Sequence, residues 1–339
     1  MTHINHATVG SEPGSETRSG ELSGRIVIVV NPASGKHKRD AINLIAQKLQ
    51  DPKRHVEIIE SHGPGHICEI ARTIVAEAIL IAGGDGSVNE AVRGLLKRLY
   101  PRPLLGIIPQ GSANILRYEL ALPTSVSGLV DIFLGGRIGH LHIGLANERP
   151  FALMASVGFD AEVVKTVSKR LKQRIGRLAY VYAALKLAFG HEGDDIEVNT
   201  GDEIFLAKLI IVTKSKYYGG NFVLDRETSA ILPGLKLIAV SDVGFVSLLK
   251  LGIGLISGRL NDATLIRRMP VRLVQLRSRR EVATQIDGDQ LGATPMVISE
   301  CSETLEVFMG STGIVDLAEL NRFRGRFGFY GHRRKPLIS

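Results

Sequence analysis

Apolar positions along the chain fall into two textures that meet near residue 137. In the first, Ile26-Val27-Ile28-Val29-Val30 is an unbroken β-branched run, the pattern of a strand covered on both faces. Ala41, Leu44, Ile45, Lys48 and Leu49 then recur at helical spacing, and His55 to Ile59 reads as a strand. Ile67, Ile70, Ala71, Ile74 and Val75 form a second helical stripe before the short strand Ile79 to Ala82. Val88, Ala91, Val92, Leu95, Leu96 and Leu99 step by three and four, predicting an amphipathic helix, and Leu104 to Ile108 is again a strand. Repeated strand–helix units predict an α/β domain over 24–137 with a mostly parallel sheet.

The second texture is shorter in period. Segments near 138–145, 151–157, 196–200, 204–213, 235–240, 271–276, 281–287 and 304–308 are β-like, interrupted by helical patterns at about 160–190 and 244–257. They predict a β-rich domain over 138–310, joined near Gly135-Gly136. Residues 1–23 are polar, lack a hydrophobic period and read as a disordered leader with no secretory signal. Residues 311–339 read as a tail, within which Arg322 to Lys335 mixes six Arg/Lys with four aromatics and no acid.

Composition narrows the classes. The 339 residues are 44% hydrophobic, enough for large cores, and 42 Lys+Arg against 34 Asp+Glu leave a charge of +8. That balance favours an anionic partner without choosing one. The longest apolar candidate, Val243 to Leu255, is split by Lys250 and falls short of the roughly 18 residues that a spanning helix needs. Cys68 and Cys301 stand far apart with no metal-type spacing, which argues against a disulfide scaffold or zinc site and fits a reducing compartment.

The candidate chemistry lies in three turns that follow strands of the first domain, where such sheets bind ligands. Asn31-Pro32-Ala33-Ser34-Gly35-Lys36 offers small residues for close backbone approach and a lysine charge. Gly83-Gly84-Asp85-Gly86-Ser87-Val88-Asn89-Glu90 offers glycines able to take positive φ at a helix N-terminus, a phosphate-binding arrangement. Asp85 would repel a phosphate unless Mg²⁺ or a hydroxyl lies between them. The plainer reading makes Asp85-Gly86 a turn and Ser87 a helix cap. Pro109-Gln110-Gly111-Ser112-Ala113-Asn114 has a plain reading too, with Ser112 as the cap. No Walker or G-x-G-x-x-G pattern is present, and no protein-kinase H-R-D or D-F-G, so a P-loop NTPase, a dinucleotide dehydrogenase and a protein kinase are set aside.

Together with Gly158-Phe159-Asp160-Ala161, Tyr218-Gly219-Gly220 and Asp287-Gly288-Asp289 before Pro295, these turns resemble the diacylglycerol kinase catalytic family, which includes sphingosine and ceramide kinases and bacterial lipid kinases. The resemblance spans about Arg25 to Met309. It implies an ATP-binding first domain, a β-sandwich-like second one, and phosphate transfer to a lipid hydroxyl between them. On that resemblance, Asn31, Ser34, Gly35, Lys36, Gly83, Gly84, Asp85, Gly86, Ser87, Val88, Asn89, Glu90, Gly111 and Asn114 hold ATP with its Mg²⁺. Ser61 and Ser112 stand where the family usually has Thr. Asp160 orients the lipid hydroxyl, and Asp289, with help from Asp85, accepts its proton. Asp289 replaces the family's Glu and must reach about 1 Å further. Bacterial members often read Leu-Asp-Asp-Gly at a structural Mg²⁺ site; here Ile231-Leu232-Pro233-Gly234 puts Pro233 in place of a carboxylate, so that site is expected to be lost.

The expected acceptor is diacylglycerol, with a sphingoid base or ceramide as alternatives. A soluble NAD-kinase-like activity and a non-catalytic adaptor stand further off. A lipid kinase without a spanning helix must dock on its substrate's surface. Leu178, Val181, Tyr182, Leu185 and Phe189, with Phe245, Leu248, Leu249, Gly252, Leu255 and Ile256, would supply the apolar part. Lys165, Lys169, Arg170, Lys172, Arg174 and Arg177 would supply the charge. The expected setting is the cytoplasm, with peripheral association at the inner face of the membrane. No nucleic-acid partner is expected, and a homodimer stays open.

Overall fold

The computed structural model describes residues 22–32, 39–99, 101–166, 193–258, 260 and 265–310. The first half is built on four parallel strands, β1 (Arg25–Val30), β2 (His55–Glu60), β3 (Ala78–Gly83) and β4 (Leu104–Pro109), in the order β2-β1-β3-β4. β3 is buried at every position, as its continuous apolar run requires. Helices α1 (Arg39–Leu49), α2 (His66–Thr73) and α3 (Asp85–Leu96) cover the sheet. α1 buries Ile42, Ile45 and Leu49, whereas Leu44 of the expected stripe is 42% exposed. α2 ends at Thr73, so Val75 lies outside it, and Leu99 is beyond the end of α3; both are exposed. Leu22 is buried in the same core, so the last part of the polar leader segment belongs to the fold.

Two helices that periodicity did not single out follow: α4 (Ile115–Glu119) and α5 (Val126–Gly135). Ser125 caps α5, its Oγ accepting from Gly128 N–H at 3.2 Å. Gly136 closes it so tightly that a Cβ there would stand 2.2 Å from the Ile132 carbonyl oxygen.

The second half is a sandwich. One layer is the antiparallel sheet β14-β13-β10-β7-β16-β17, made of β7 (Met154–Gly158), β10 (Leu209–Thr213), β13 (Leu235–Val240), β14 (Ile266–Val271), β16 (Ala283–Ile286) and β17 (Asp289–Ala293). The other layer continues the parallel sheet. β18 (Met296–Met309) lies beside β4 and carries on to β15 (Leu273–Ser278), β8 (Ile196–Asn199) and β9 (Ile204–Ala207); β5 (Arg137–Ala146) and β6 (Arg149–Phe151) branch from it. Val198, Val274, Leu276, Met296 and Ile298 of one layer pack with Val157, Ile210, Val212, Leu237 and Ile286 of the other. β18 thus belongs to both halves and fixes the β-rich layer against the parallel one.

The expected segment 204–213 divides at Lys208 into strands of different sheets, and 271–276 divides at Arg272. Of the helical pattern at 160–190, α6 (Phe159–Thr166) is described; the rest, with the Leu178–Phe189 stripe and the basic positions 169–177, lies outside the described residues, as do the side chain of Lys165 and the 311–339 tail. α7 (Phe245–Ser257) completes the elements, after the short hairpin β11 (Tyr217–Tyr218) and β12 (Phe222–Val223). Among the described residues no helix is long and apolar enough to cross a membrane.

Candidate active site

Parallel register brings the ends of β1 to β4 to one edge: Val30 lies beside Glu60 and Ala82, and Gly83 beside Pro109. Asn31, Ser61, Gly84 and Gln110 therefore leave the sheet together. Asn31 Nδ2 donates to Ser87 Oγ at 2.9 Å, Ser61 N–H to the Val30 carbonyl at 2.8 Å, and Gln110 N–H to the Gly83 carbonyl at 2.9 Å. Ser34, Gly35 and Lys36 fall among residues 33–38, outside the described residues.

The Gly-Gly-Asp-Gly segment differs from its expected form. Helix α3 already begins at Asp85, with Gly84 as an extended cap at φ −93°, and none of Gly83, Gly84, Gly86 or Gly111 takes a positive φ. Close packing explains three of these glycines: a Cβ on Gly83 would stand 2.5 Å from Ser87 Oγ, one on Gly84 3.1 Å from the Gly111 Cα, and one on Gly111 2.6 Å from the Gly84 Cα. The two turns touch backbone to backbone. Around a Cβ built on Gly86, no described atom lies within 4 Å, and the residue is exposed. Gly86 therefore offers open backbone at a helix N-terminus.

Asp85 answers for α4 rather than for its own helix. Its Oδ2 accepts from Ile115 N–H at 3.0 Å and its Oδ1 from Leu116 N–H at 3.2 Å. The capping roles expected of Ser87 and Ser112 are thus filled otherwise: α3 is capped by Gly84, Ser87 is buried against Asn31, and Ser112 is exposed. Asn114, at φ 48°, turns back so that its Oδ1 accepts from Gly111 N–H at 2.8 Å and its Nδ2 donates to the Gly111 carbonyl at 2.7 Å. Val88 faces the core, and Glu90 Oε2 accepts from Gly65 N–H at 2.9 Å, pinning the entry to α2.

From the β-rich half, Asp287-Gly288 forms the two-residue turn between β16 and β17, with φ 47° and 83°, the left-handed pair that a tight hairpin requires. Sequence reasoning passed over Asp287 in favour of Asp289. The Asp287 carboxylate turns inward and accepts from Ala152, Leu153 and Met154 N–H at 2.8, 2.9 and 2.9 Å. Burial pushes it up to about 7, against the pull of those three donors, and the Asp85 charge adds to the rise. Because α3 packs on β6 (Arg149–Phe151) and the next three residues hold Asp287, the hairpin tip is anchored next to the strand that α3 covers. Asp289, the first residue of β17, is exposed. The left-handed Asp-Gly pair was the available signal for a turn, but nothing in it tells which acid folds inward.

Asp160 is buried at the start of α6, after Gly158 at φ 95°, where its Oδ2 accepts from Ser156 Oγ and Gln285 Nε2 (2.9 Å) and its Oδ1 from Tyr218 Oη. Three donors leave acceptor capacity on Oδ1, beside the Tyr218 hydroxyl. Two buried charged residues, one bridging the halves and one behind that joint, went unnoticed in the sequence, because neither lies in a motif. Glu119, at the end of α4, accepts from Ser215 Oγ (2.7 Å), Lys216 N–H (2.6 Å), Ser229 Oγ (3.0 Å) and Ala230 N–H (3.2 Å), and burial raises its pKa. Lys214 is fully buried, and its backbone N–H donates to the Leu153 carbonyl at 2.7 Å, one residue from the Asp287 contacts.

Two family models divide the chain: the diacylglycerol kinase catalytic domain matches residues 25–146, and the YegS C-terminal NAD kinase beta sandwich-like domain matches 154–309. This chain belongs to the diacylglycerol kinase catalytic-domain family. Its domain pair is that of a lipid kinase: an α/β half followed by a β-sandwich. The chain is 25% identical to a diacylglycerol kinase of Bacillus subtilis (strain 168), covering 80% of this chain and 91% of that one. It is 29% identical to a diacylglycerol kinase of Staphylococcus saprophyticus over 55% of its own length and 62% of the relative's. A crystal structure of a diacylglycerol kinase from Bacillus anthracis str. Sterne shares the fold at TM-score 0.68 and 17% identity, covering 88% of this chain and all of that one.

A kinase of this family uses ATP, and the strand-end edge fits a nucleotide on two observations. Gly86 is open for backbone approach, and Asn89 Oδ1 is buried on α3 with no hydrogen-bond partner among the described residues, an acceptor left for a nucleotide donor group or its cation.

Proposed function

We propose that this kinase transfers the γ-phosphate of Mg²⁺-ATP to the free hydroxyl of diacylglycerol at a membrane surface. One observation carries the reading: α3, whose N-terminus is open, packs against β6 of the other half, and the three residues that follow β6 hold Asp287 and with it the hairpin tip. The Gly86 backbone and the α3 N-terminus receive phosphate oxygens, with Ser61, Ser87, Asn89, Ser112 and the described part of the Asn31 turn around them. Mg²⁺, arriving with the nucleotide, offsets the acids that meet there and the charge of the transferring group. Asp287 is a positioning residue: locked by three backbone donors, it fixes the hairpin so that exposed Asp289 presents its carboxylate to the acceptor. Asp289 takes the hydroxyl proton as the new oxygen–phosphorus bond forms, and ADP leaves. Asp160, held by Ser156, Gln285 and Tyr218, lines the acceptor side.

Access to the substrate is the work of α7. Leu248, Leu251 and Leu255 pack against the core, which corrects the expectation that Leu248 and Leu255 face out. Val246, Leu249, Ile253 and Ile256 are 61%, 48%, 59% and 72% exposed, a stripe at helical spacing with Lys250 beside it. Such a stripe fits the apolar boundary of an anionic bilayer.

The test is a radiolabelled-ATP assay in mixed micelles containing diacylglycerol, ceramide or sphingosine. Label in phosphatidic acid, lost with Asp289→Asn, is the expected result. Label in a sphingolipid product would move the acceptor, and label in none of them would end the proposal.

A further inference from the structure

The turn Ile231-Leu232-Pro233-Gly234 lacks the carboxylate that a divalent cation needs, yet its carbonyls converge on a positive charge. Lys214 leaves the end of β10 with no exposed surface. Its Nζ donates to the Leu232 carbonyl at 2.8 Å, the Gly234 carbonyl at 2.6 Å and Glu300 Oε1 at 3.2 Å. These three oxygens come from the turn before β13 and from β18, and Gly234 N–H also donates to Glu300. An ammonium has three protons, and all three are placed. His142 Nδ1 lies 4.0 Å from the same Glu300 Oε1. The oxygens are set as for a cation, and the cation belongs to the chain.

We infer that Lys214 is a tethered cation that takes the place of a bound structural metal in this cage. The turn before β13 is thereby held to β18 without a divalent ion, and the protein's need for Mg²⁺ reduces to the ion carried by the nucleotide. The position matters because Ser215 and Lys216 on one side, and Ser229 and Ala230 on the other, hold Glu119 of the first half. The cage therefore underlies the joint between the halves.

The test needs no turnover and stands apart from the choice of lipid acceptor. Thermal unfolding of the full chain without nucleotide is followed in EDTA, in Mg²⁺ and in Ca²⁺, and native protein is reductively methylated and mapped by peptide mass. The expected result is one melting temperature in all three solutions, with Lys214 unmodified while exposed lysines such as Lys53 are methylated. A metal held in the cage at many times its Kd would raise the melting temperature by several degrees. Such a rise in the wild type, or methylation of Lys214 at the rate of exposed lysines, would overturn the inference. Lys214→Met keeps the stem and removes the charge. It is expected to melt lower than the wild type, in EDTA and in Mg²⁺ or Ca²⁺ alike. A variant that melts like the wild type in EDTA would also refute the role; if the variant does not fold, the wild-type chelation and methylation results decide alone.

Discussion

The Gly-Gly-Asp-Gly turn of the parallel half and the Asp-Gly-Asp turn of the sandwich half meet at one edge but are made in opposite ways. In the first, the glycine backbone stays in ordinary regions and the glycines are small because Gly84 and Gly111 touch. In the second, Asp287 and Gly288 adopt left-handed conformations that close a hairpin, and bulk is not the issue. Both turns nonetheless direct their first carboxylate into the protein, Asp85 onto the N–H groups of α4 and Asp287 onto those of residues 152–154. What remains outward is the Gly86 backbone in one and Asp289 in the other. Each turn therefore divides its labour between an acid that holds the fold and a neighbouring group left exposed, which is the group the proposed reading turns toward the ligand.

The largest effect should come from the outward acid. Asp289→Asn should lower kcat by roughly 10²–10⁴ with little change in melting temperature, as for loss of a general base; Asp287→Asn should instead lower stability along with activity. If Asp289→Asn keeps full kcat while Asp287→Asn loses it, the assignment within the hairpin is reversed. Next come the glycines. Gly111→Ala forces a Cβ to within 2.6 Å of the Gly84 Cα and should cost about 1–3 kcal/mol of stability in urea unfolding. Gly86→Ala meets no described atom within 4 Å, lies in the first turn of α3, and should leave stability unchanged or raised by up to about 1 kcal/mol while KM for ATP rises. Equal loss of stability in both would erase the distinction between packing and ligand-facing glycines.

A comparable effect concerns pH. Burial first, then Lys214 and His140, hold His142 down to about 3, below its unfolded value near 6.5, so the unfolded chain binds the extra proton between those values. Stability from this group is complete above about 6.5 and is lost as pH falls toward 3. Asp287, raised to about 7, works the other way: the native state holds its proton, and that contribution declines as pH rises from about 4 to 7. His142→Gln should therefore remove roughly 2–3 kcal/mol of the acid sensitivity between pH 7 and 4.5 in urea titrations. An unchanged slope would show that His142 is not buried neutral. The smallest change in stability is expected on α7, where Leu249→Asp with Ile253→Asp should stay within about 1 kcal/mol of wild type. The same pair should weaken anionic-vesicle binding roughly tenfold or more; unaltered sedimentation would remove α7 from membrane contact.

Much of the parallel half could be read from residues alone, because strands buried on both faces appear as runs such as Ile26–Val30 and turns at their ends need glycine. The sandwich half was less legible. β18 extends from Met296 to Met309, yet only 304–308 stood out, since Ser299, Glu300, Ser302 and Glu303 interrupt the apolar alternation where it crosses from one half to the other. Changes of sheet at Lys208 and Arg272 carry no local mark, because pairing partners lie far away in sequence. The buried acids Asp287 and Glu119 and the ammonium of Lys214 were equally hidden: each is defined by donors or acceptors that arrive from other elements.

Helix α4 is only five residues long, with Asp85 seated at its head and its own Glu119 gripped at its foot by the opposite half. So short a rod cannot bend or slip independently at its two ends. Whatever the sandwich half does to Glu119 is therefore passed on to the N–H groups that seat Asp85, so one small lever ties the two turns together.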